Sequence, residues 1–427
     1  MKKWIILFVA ASTLLVFTTG PALAGGFRIP ESGAKAMGLG NAFVGQADDP
    51  SAVQFNPAGL TQLEGYRIMY GATSITTAND YKNGGTEYSA EKGHYLVPFF
   101  YYTNHLEDLG DGNWWFGLSM TSPFGLGTEW DVSTFEYIAT QTKLKMLKLN
   151  PVMAYKVSDR FSLGFGIDYY EVLEGSFENA MAMTVGDLGG GWFKFDQKLK
   201  GDGTGFGFNV GGLYEVSEKV QLGFAYRTGV EVDLEGHLTL TGVTTPVPVE
   251  VKADGKATLN IPATAAVGVH YGISDAWKVN LDLDWTEWSA YDELPIKTDL
   301  GDSVVEKDYE DTITYRIGVD YMLNENWSLR GGFLMEEMPV PEETYDPRLP
   351  DGDRTGYSVG FGYEKDRLTV DFAYMLVLLD KTSISNDIDQ NPSYNIAPTL
   401  VGDPAQTVDG DYEGDITLIG FSVGFAF

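Results

Sequence analysis

The strongest constraint on this chain is a period of two that returns in segment after segment. In "FSLGFGIDY", Phe161, Leu163, Phe165, Ile167 and Tyr169 share one face, opposite Ser162, Gly164, Gly166 and Asp168. "WKVNLDLDW" sets Trp277, Val279, Leu281, Leu283 and Trp285 opposite Lys278, Asn280, Asp282 and Asp284. Strand side chains point alternately to the two faces, so each segment reads as a strand with one apolar and one polar side. "VQLGFAYR" and "LTVDFAYML" repeat the arrangement, often with an aromatic near an end.

Connection lengths decide what such strands build. Fourteen candidate strands begin near Tyr66, Tyr95, Trp114, Lys143, Phe161, Gly205, Val220, Ala263, Trp277, Thr314, Trp327, Thr355, Leu368 and Ile416. Tight turns at 158–160, 217–219, 274–276, 324–326 and 365–367 alternate with long segments such as 175–204, 233–262 and 380–415. Short turns at one end and long loops at the other are the pattern of an outer-membrane barrel, whereas a soluble sandwich has no reason for it. The expected fold is all-β and transmembrane: a 14-stranded antiparallel barrel over 64–427. The closing "TLIGFSVGFAF" ends on Phe427 and resembles the terminal strand that barrel-assembly machinery reads.

The front end differs. Lys2 and Lys3, an apolar run from Trp4 to Phe17, and Ala22-Leu23-Ala24 read as a signal peptide over 1–24. The run is short for a spanning helix, which needs roughly 20 apolar residues. Without the two leader lysines, 27 basic residues face 60 acidic ones, a formal charge of 27 − 60 = −33. That balance disfavours nucleic acid as a partner. With no cysteine, disulfides play no part. The acidic run "DGDYEGD" (409–415) matches no EF-hand spacing and reads as a solvated loop, so neither metal nor cofactor is expected.

Residues 25–63 precede the first strand and alternate like neither a strand nor a clean helix. They mix Gly33, Gly38, Gly40 and Gly45 with the turn chemistry of "ADDPSA" and "FNPAG", and with Met37, Leu39, Phe43, Val44, Val53 and Phe55. Fourteen strands enclose a lumen too wide for their own side chains to fill. Short helices joined by tight turns and packed inside the barrel fit this composition.

"GGFRIPESGAKAMGLGNAFVGQADDPSAVQFNPAGL" resembles the N-terminal hatch of FadL/TodX-type outer-membrane transporters of fatty acids and hydrophobic compounds. "TSPFGLGTEW" (121–130) resembles the end of that family's third strand, and "TEWSAYDELPI" and "MPVPEETYDPRLPDGDR" resemble its later strands and loops. The resemblance implies passive uptake. A hydrophobic ligand is caught by outer loops, passed to a pocket above the hatch, and released sideways through a kink in the third strand. It makes Asn56, Pro57 and Ala58 the hatch turn facing the kink, places Pro123, Phe124, Gly125 and Gly127 at the kink, and sets Phe27 against the ligand. Glu171 and Thr312 stand near two positions where fatty-acid carriers hold basic side chains.

Alternation alone leaves Lys148, Arg227, Lys278, Arg316 and Arg330 as inward basic residues, mostly as partners for lumen carboxylates such as Asp282 and Asp320. The candidate ligand contacts are therefore Phe27, Lys148, Glu171 and Arg316, and the ligand's charge stays open between a carboxylate and a neutral hydrocarbon. The rival functions are a general porin and a barrel enzyme. A porin needs an unplugged lumen. Of His94, His105, His237 and His270, only His270 is read on a lumen face, with no serine patterned beside it. The expected partners are a hydrophobic small molecule, outer-membrane lipid and lipopolysaccharide, and the assembly machinery, around a monomer.

Overall fold

The computed structural model describes residues 26–131, 135–185, 188, 191–388, 396–404 and 406–427. The leader read at 1–24 lies outside them. The strands, numbered here in chain order, are β1 (Tyr66–Asn83), β2 (Gly93–His105), β3 (Trp114–Thr121, resuming at Gly125–Glu129), β4 (Gln141–Ser158) and β5 (Phe161–Thr184). Next come β6 (Trp192–Ser217), β7 (Val220–Arg227 and Val230–Gly242), β8 (Glu250–Ile261 and Thr264–Gly272) and β9 (Trp277–Thr286 and Glu293–Thr298). Finally there are β10 (Gly301–Glu306 and Thr312–Met322), β11 (Trp327–Glu336), β12 (Arg354–Lys365), β13 (Leu368–Ile384) and β14 (Gly410–Ala426).

Each strand pairs antiparallel with its neighbours, and β14 returns to β1 from Arg67↔Ala426 to Lys82↔Asp411, closing a 14-stranded barrel. Closure leaves no strand of the barrel as a free edge along its whole length, as lipid requires. The five tight turns fall where the sequence puts them. Among the described residues no helix is long and apolar enough to cross a membrane.

The outer face is apolar, with Phe206 and Phe208 66% and 62% exposed. Ring pairs finish the tight-turn end of this belt: Tyr66 on Phe427, Trp114 on Tyr155, Trp277 on Tyr321, and Trp327 on Tyr363, with centroids 4.4–4.7 Å apart. This is the aromatic girdle of an interfacial boundary.

The segments 175–204 and 233–262, expected as loops, are instead largely strand, carrying the sheet of β5–β8 beyond the apolar belt. Here ion pairs such as Lys198–Glu178 and Lys256–Glu235 replace lipid-facing apolar residues, so hydropathy alternation is lost while the ladder continues. "DGDYEGD" likewise opens β14 rather than forming a loop. His94, His105 and His237 stand in strands.

Residues 26–63 fold inside the barrel as a short helix α1 (Ala34–Gly38), a turn of helix α2 (Ala52–Phe55) and a 3-10 helix (Pro57–Gln62). Ala36, Met37, Leu39, Phe43, Ala52 and Val53 are fully buried. Gly40, in the left-handed region at φ 65°, lies flush on β11, where a Cβ would sit 2.9 Å from Phe333 N. Its own N–H donates to Ser358 Oγ (3.0 Å) on β12. Across the lumen, the N–H groups of Phe43 and Val44 donate to Asp282 Oδ2 on β9 at 2.7 and 2.8 Å. Asp282 thus holds this segment's backbone, where an arginine partner was expected.

Candidate functional site

The third strand is broken where the sequence places proline and glycine. Thr121 pairs with Lys148 and Gly125 with Lys145, so Ser122–Phe124 stand opposite Met146 and Leu147, one residue too many for the ladder. Pro123 has no N–H to give. On its other side, β3 leaves β2 altogether. The β2–β3 ladder runs from His105↔Trp115 to Phe100↔Met120 and stops, while β1–β2 pairing continues to Thr77↔Gly93. Glu91 N donates to Glu129 O (2.8 Å) above, so the wall has a window between β2 and the resumed β3. Tyr95 spans it, its hydroxyl donating to Gly127 O at 2.9 Å. Leu96 faces outward beside it, 73% exposed.

The inner side of the break is covered by the front of the N-terminal segment. Ile29 N donates to Pro123 O (2.8 Å) and Gly125 N to Phe27 O (3.0 Å), an antiparallel bridge centred on Arg28 and Phe124. These bonds satisfy backbone groups that the break would leave unpaired. One residue earlier, Gly26 N donates to Asp351 Oδ2 (2.9 Å) and Arg354 Nη2 donates to Gly26 O (2.6 Å). Burial, outweighing the nearby Arg354 guanidinium, holds Asp351 above the usual carboxylate range.

Phe27 enters an aromatic cluster on the loop side of the lumen. Its ring lies 4.9 Å from Trp288, 5.6 Å from Tyr291 and 5.9 Å from Phe124, and Tyr309 packs on Tyr291 at 5.1 Å. Such pairs contribute about 0.5–1.5 kcal/mol each beyond the area they bury. A second apolar patch of lumen wall, with Ile75, Val97, Leu334, Met375 and Leu418, adjoins Ile29 and Tyr95 at the window.

Asn56, Pro57 and Ala58 pack against β5 and β6 rather than directly on the break. A Cβ at Gly164 would meet Pro57, and one at Gly211 would meet Asn56. Pro57 nonetheless lines one cavity of ≈ 60 Å³ together with Pro123 and Phe124. Asn56 Nδ2 donates to Val44 O (2.9 Å) and Gly212 O (3.0 Å), while its Oδ1 accepts from Ala58 N (3.2 Å) and caps the 3-10 helix. Asn56→Ala should cost about 1–3 kcal/mol through the carbonyls left unpaired. The cost is measurable as a lower urea midpoint of the refolded barrel and faster proteolysis within 26–63.

Lys148 is fully buried, donating to Gln54 Oε1 (2.5 Å) and lying 3.7 Å from Asp168, which also pairs with Arg227. It braces the N-terminal segment against β4 and does not line the cavity. Glu171, expected among the ligand contacts, does not face the lumen. It follows Phe165, Ile167 and Tyr169 at two-residue steps, placing it on the outer face of β5, away from the lumen. Arg316 is buried and reaches Gly40 O and Asp284 Oδ2, both at 3.4 Å. Arg28, Asp284, Trp288 and Tyr95 were not singled out from the sequence, although "TEWSAYDELPI" contains Trp288.

Residues 15–427 match the model of the outer membrane protein transport protein family (OMPP1/FadL/TodX). The chain belongs to this family. It is therefore an outer-membrane barrel. A long-chain fatty acid transport protein of Salmonella typhi is 28% identical over 404 residues, covering 86% of this chain and 91% of that relative. Outer membrane protein P1 of Haemophilus influenzae is 27% identical over 424 residues, covering 88% and 90%. Among solved structures, a Pseudomonas aeruginosa FadL homologue superposes with a TM-score of 0.81 at 22% identity, covering 94% of this chain and all of that one. The Pseudomonas putida toluene transporter TodX gives 0.72 at 18%, covering 94% and 98%. Both likenesses bear on the fold alone.

Proposed function

We propose that this barrel carries hydrophobic molecules passively across the outer membrane, with residues 25–63 as a hatch and the window beside β3 as a lateral exit. The observation that carries the reading is the window itself. A barrel gains nothing in stability from a ladder left open between Phe100↔Met120 and Glu129, yet this one opens beside an apolar lumen wall and an aromatic cluster. A ligand caught by the outer loops would displace Phe27 from the cluster, pass the Arg28–Phe124 bridge and leave between Leu96 and Leu126 into lipid. Each methylene moved from water into such surroundings contributes about 0.8 kcal/mol, so long alkyl chains bind without special chemistry.

The relatives named as long-chain fatty acid transport proteins and the neighbours named as toluene transporters bracket the ligand class. The packed lumen counts against a general porin. No catalytic role is assigned. His270 Nδ1 is engaged with Asn280 Oδ1 at 2.8 Å, and the chain's family is one of transporters. The belt would sit in outer-membrane lipid and lipopolysaccharide, Phe427 would serve the assembly machinery, and the barrel would work as a monomer.

The deciding experiment is uptake of radiolabelled oleate by Gram-negative cells that lack their own fatty-acid channel. Cells displaying this chain should take up oleate several-fold faster than vector controls. Uptake at control level, with the barrel detected at the surface by loop labelling, would overturn the proposal.

A further inference from the structure

The cavity at the junction of hatch and break is charged in a way that a purely apolar route does not require. Three arginines line it, Arg28, Arg227 and Arg316, with two aspartates, Asp282 and Asp284. Asp282 is already engaged by the N–H groups of Phe43 and Val44. Asp284 is left to two guanidiniums, which both reach the same oxygen: Arg28 Nη1 at 2.9 Å and Arg316 Nη2 at 3.4 Å from Oδ2. Arg28 spends Nη1 alone on protein, on Asp284 and on Thr286 Oγ1 (3.0 Å). Its Nη2 and Nε have no hydrogen-bond partner among the described residues, although the side chain is only 16% exposed. A guanidinium this enclosed ordinarily fills its fork. Phe124 lines the same cavity and belongs to the aromatic cluster around Phe27.

We infer that Arg28, backed by Arg316, is the receptor for a single carboxylate head group, so that the cargo is an anionic amphiphile with its tail on the aromatic cluster rather than a neutral hydrocarbon. This rests on the transport reading and deepens it. The geometry favours a carboxylate because the unused Nη2 and Nε edge of a guanidinium presents two parallel donors, which a planar two-oxygen acceptor matches. Glu171 stands on the outer face and Thr312 is buried against Thr286, so neither supplies a positive charge to the cavity. The positive charge comes from the hatch instead. The head group is thereby read by the residue whose own backbone bridges Phe124, so binding bears directly on the segment that covers the break.

The test uses the full barrel in lipid nanodiscs, loaded with a fluorescent long-chain fatty acid that is displaced by oleate, methyl oleate or hexadecane. For the native chain, oleate should compete at least tenfold better than its methyl ester, the range expected when hydrogen bonds to a charged group are gained. Arg28→Gln leaves Asp284 paired with Arg316, so the fold should survive. It should weaken oleate about 10- to 100-fold while leaving methyl oleate unchanged. Arg28→Lys should restore part of the loss, since it keeps the charge without the fork. Equal competition by oleate and its ester on the native chain would overturn the carboxylate site and leave apolar transport standing. The site would also fall if Arg28→Gln weakened both ligands alike. Failure of all three competitors to displace the probe would remove the transport reading with it.

Discussion

Deleting residues 25–63 should raise the conductance of the barrel in planar bilayers roughly tenfold or more, because fourteen strands enclose a space that their own side chains cannot close. What fills that space now is Ala36, Met37, Leu39, Phe43, Ala52 and Val53, all without solvent exposure. The wall meets them with glycines: Cβ atoms at Gly318, Gly332, Gly360 and Gly420 would strike Leu39, Gly40, Gly38 and Met37. Removing the segment therefore leaves a smooth, wide passage rather than a set of side chains ready to collapse inward. The ladders that close the barrel do not involve residues 25–63, so strand content should hold. The loss includes the bonds to Asp282 and Lys148, which then face water in an open lumen instead of a dry interface. Unchanged conductance in a variant that keeps its circular dichroism spectrum would show that something other than this segment closes the barrel.

A lesser change separates the segment's presence from its fastening. Asp282→Ala removes the acceptor of two backbone N–H groups while leaving every apolar contact of Phe43 in place. Brief openings in single-channel records, against a closed baseline, are the outcome expected of a plug that is loosened but still seated.

The strands were legible because a period of two is a local property: Phe161 to Tyr169 declare their faces without reference to any other part of the chain. The same rule settles Glu171, which continues the outward row of Phe165, Ile167 and Tyr169. Its resemblance to a family position pointed inward, and the alternation was the better guide. Where both faces of a strand are polar, as at Lys198 and Glu178, the signal disappears although pairing persists. The window was only half legible. Pro123 and the glycines beside it announce a break, but the opening exists because the β2–β3 ladder ends at Phe100↔Met120, a relation between strands that neither sequence states alone. Arg28 and Trp288 belong to non-repeating segments, so no periodicity marks them; only the fold brings them within reach of Phe124.

If cargo leaves through the window, Gly125→Phe should reduce uptake by about an order of magnitude while leaving binding from the outer side nearly intact. A Cβ at Gly125 would already lie 2.9 Å from Ile29 Cδ1, so a ring there must occupy the path between the hatch and the resumed β3. Gly127 makes the complementary case, because a side chain there would meet the Tyr95 ring that spans the opening. Gly125 bonds the backbone of Phe27, but a side chain there points at Ile29, and one at Gly127 points at Tyr95, rather than at the rings of Phe27, Trp288 and Tyr291 where the alkyl chain is proposed to rest, so affinity and passage should separate. Tyr95→Ala should act in the opposite sense. It removes the hydroxyl that donates to Gly127 O and widens the opening, so uptake should hold or rise. A route straight down the lumen predicts none of this, since Gly125 lies in the wall of the barrel. Normal uptake by Gly125→Phe, with the substituted barrel folded and in the outer membrane, would therefore move the exit from the wall to the periplasmic mouth.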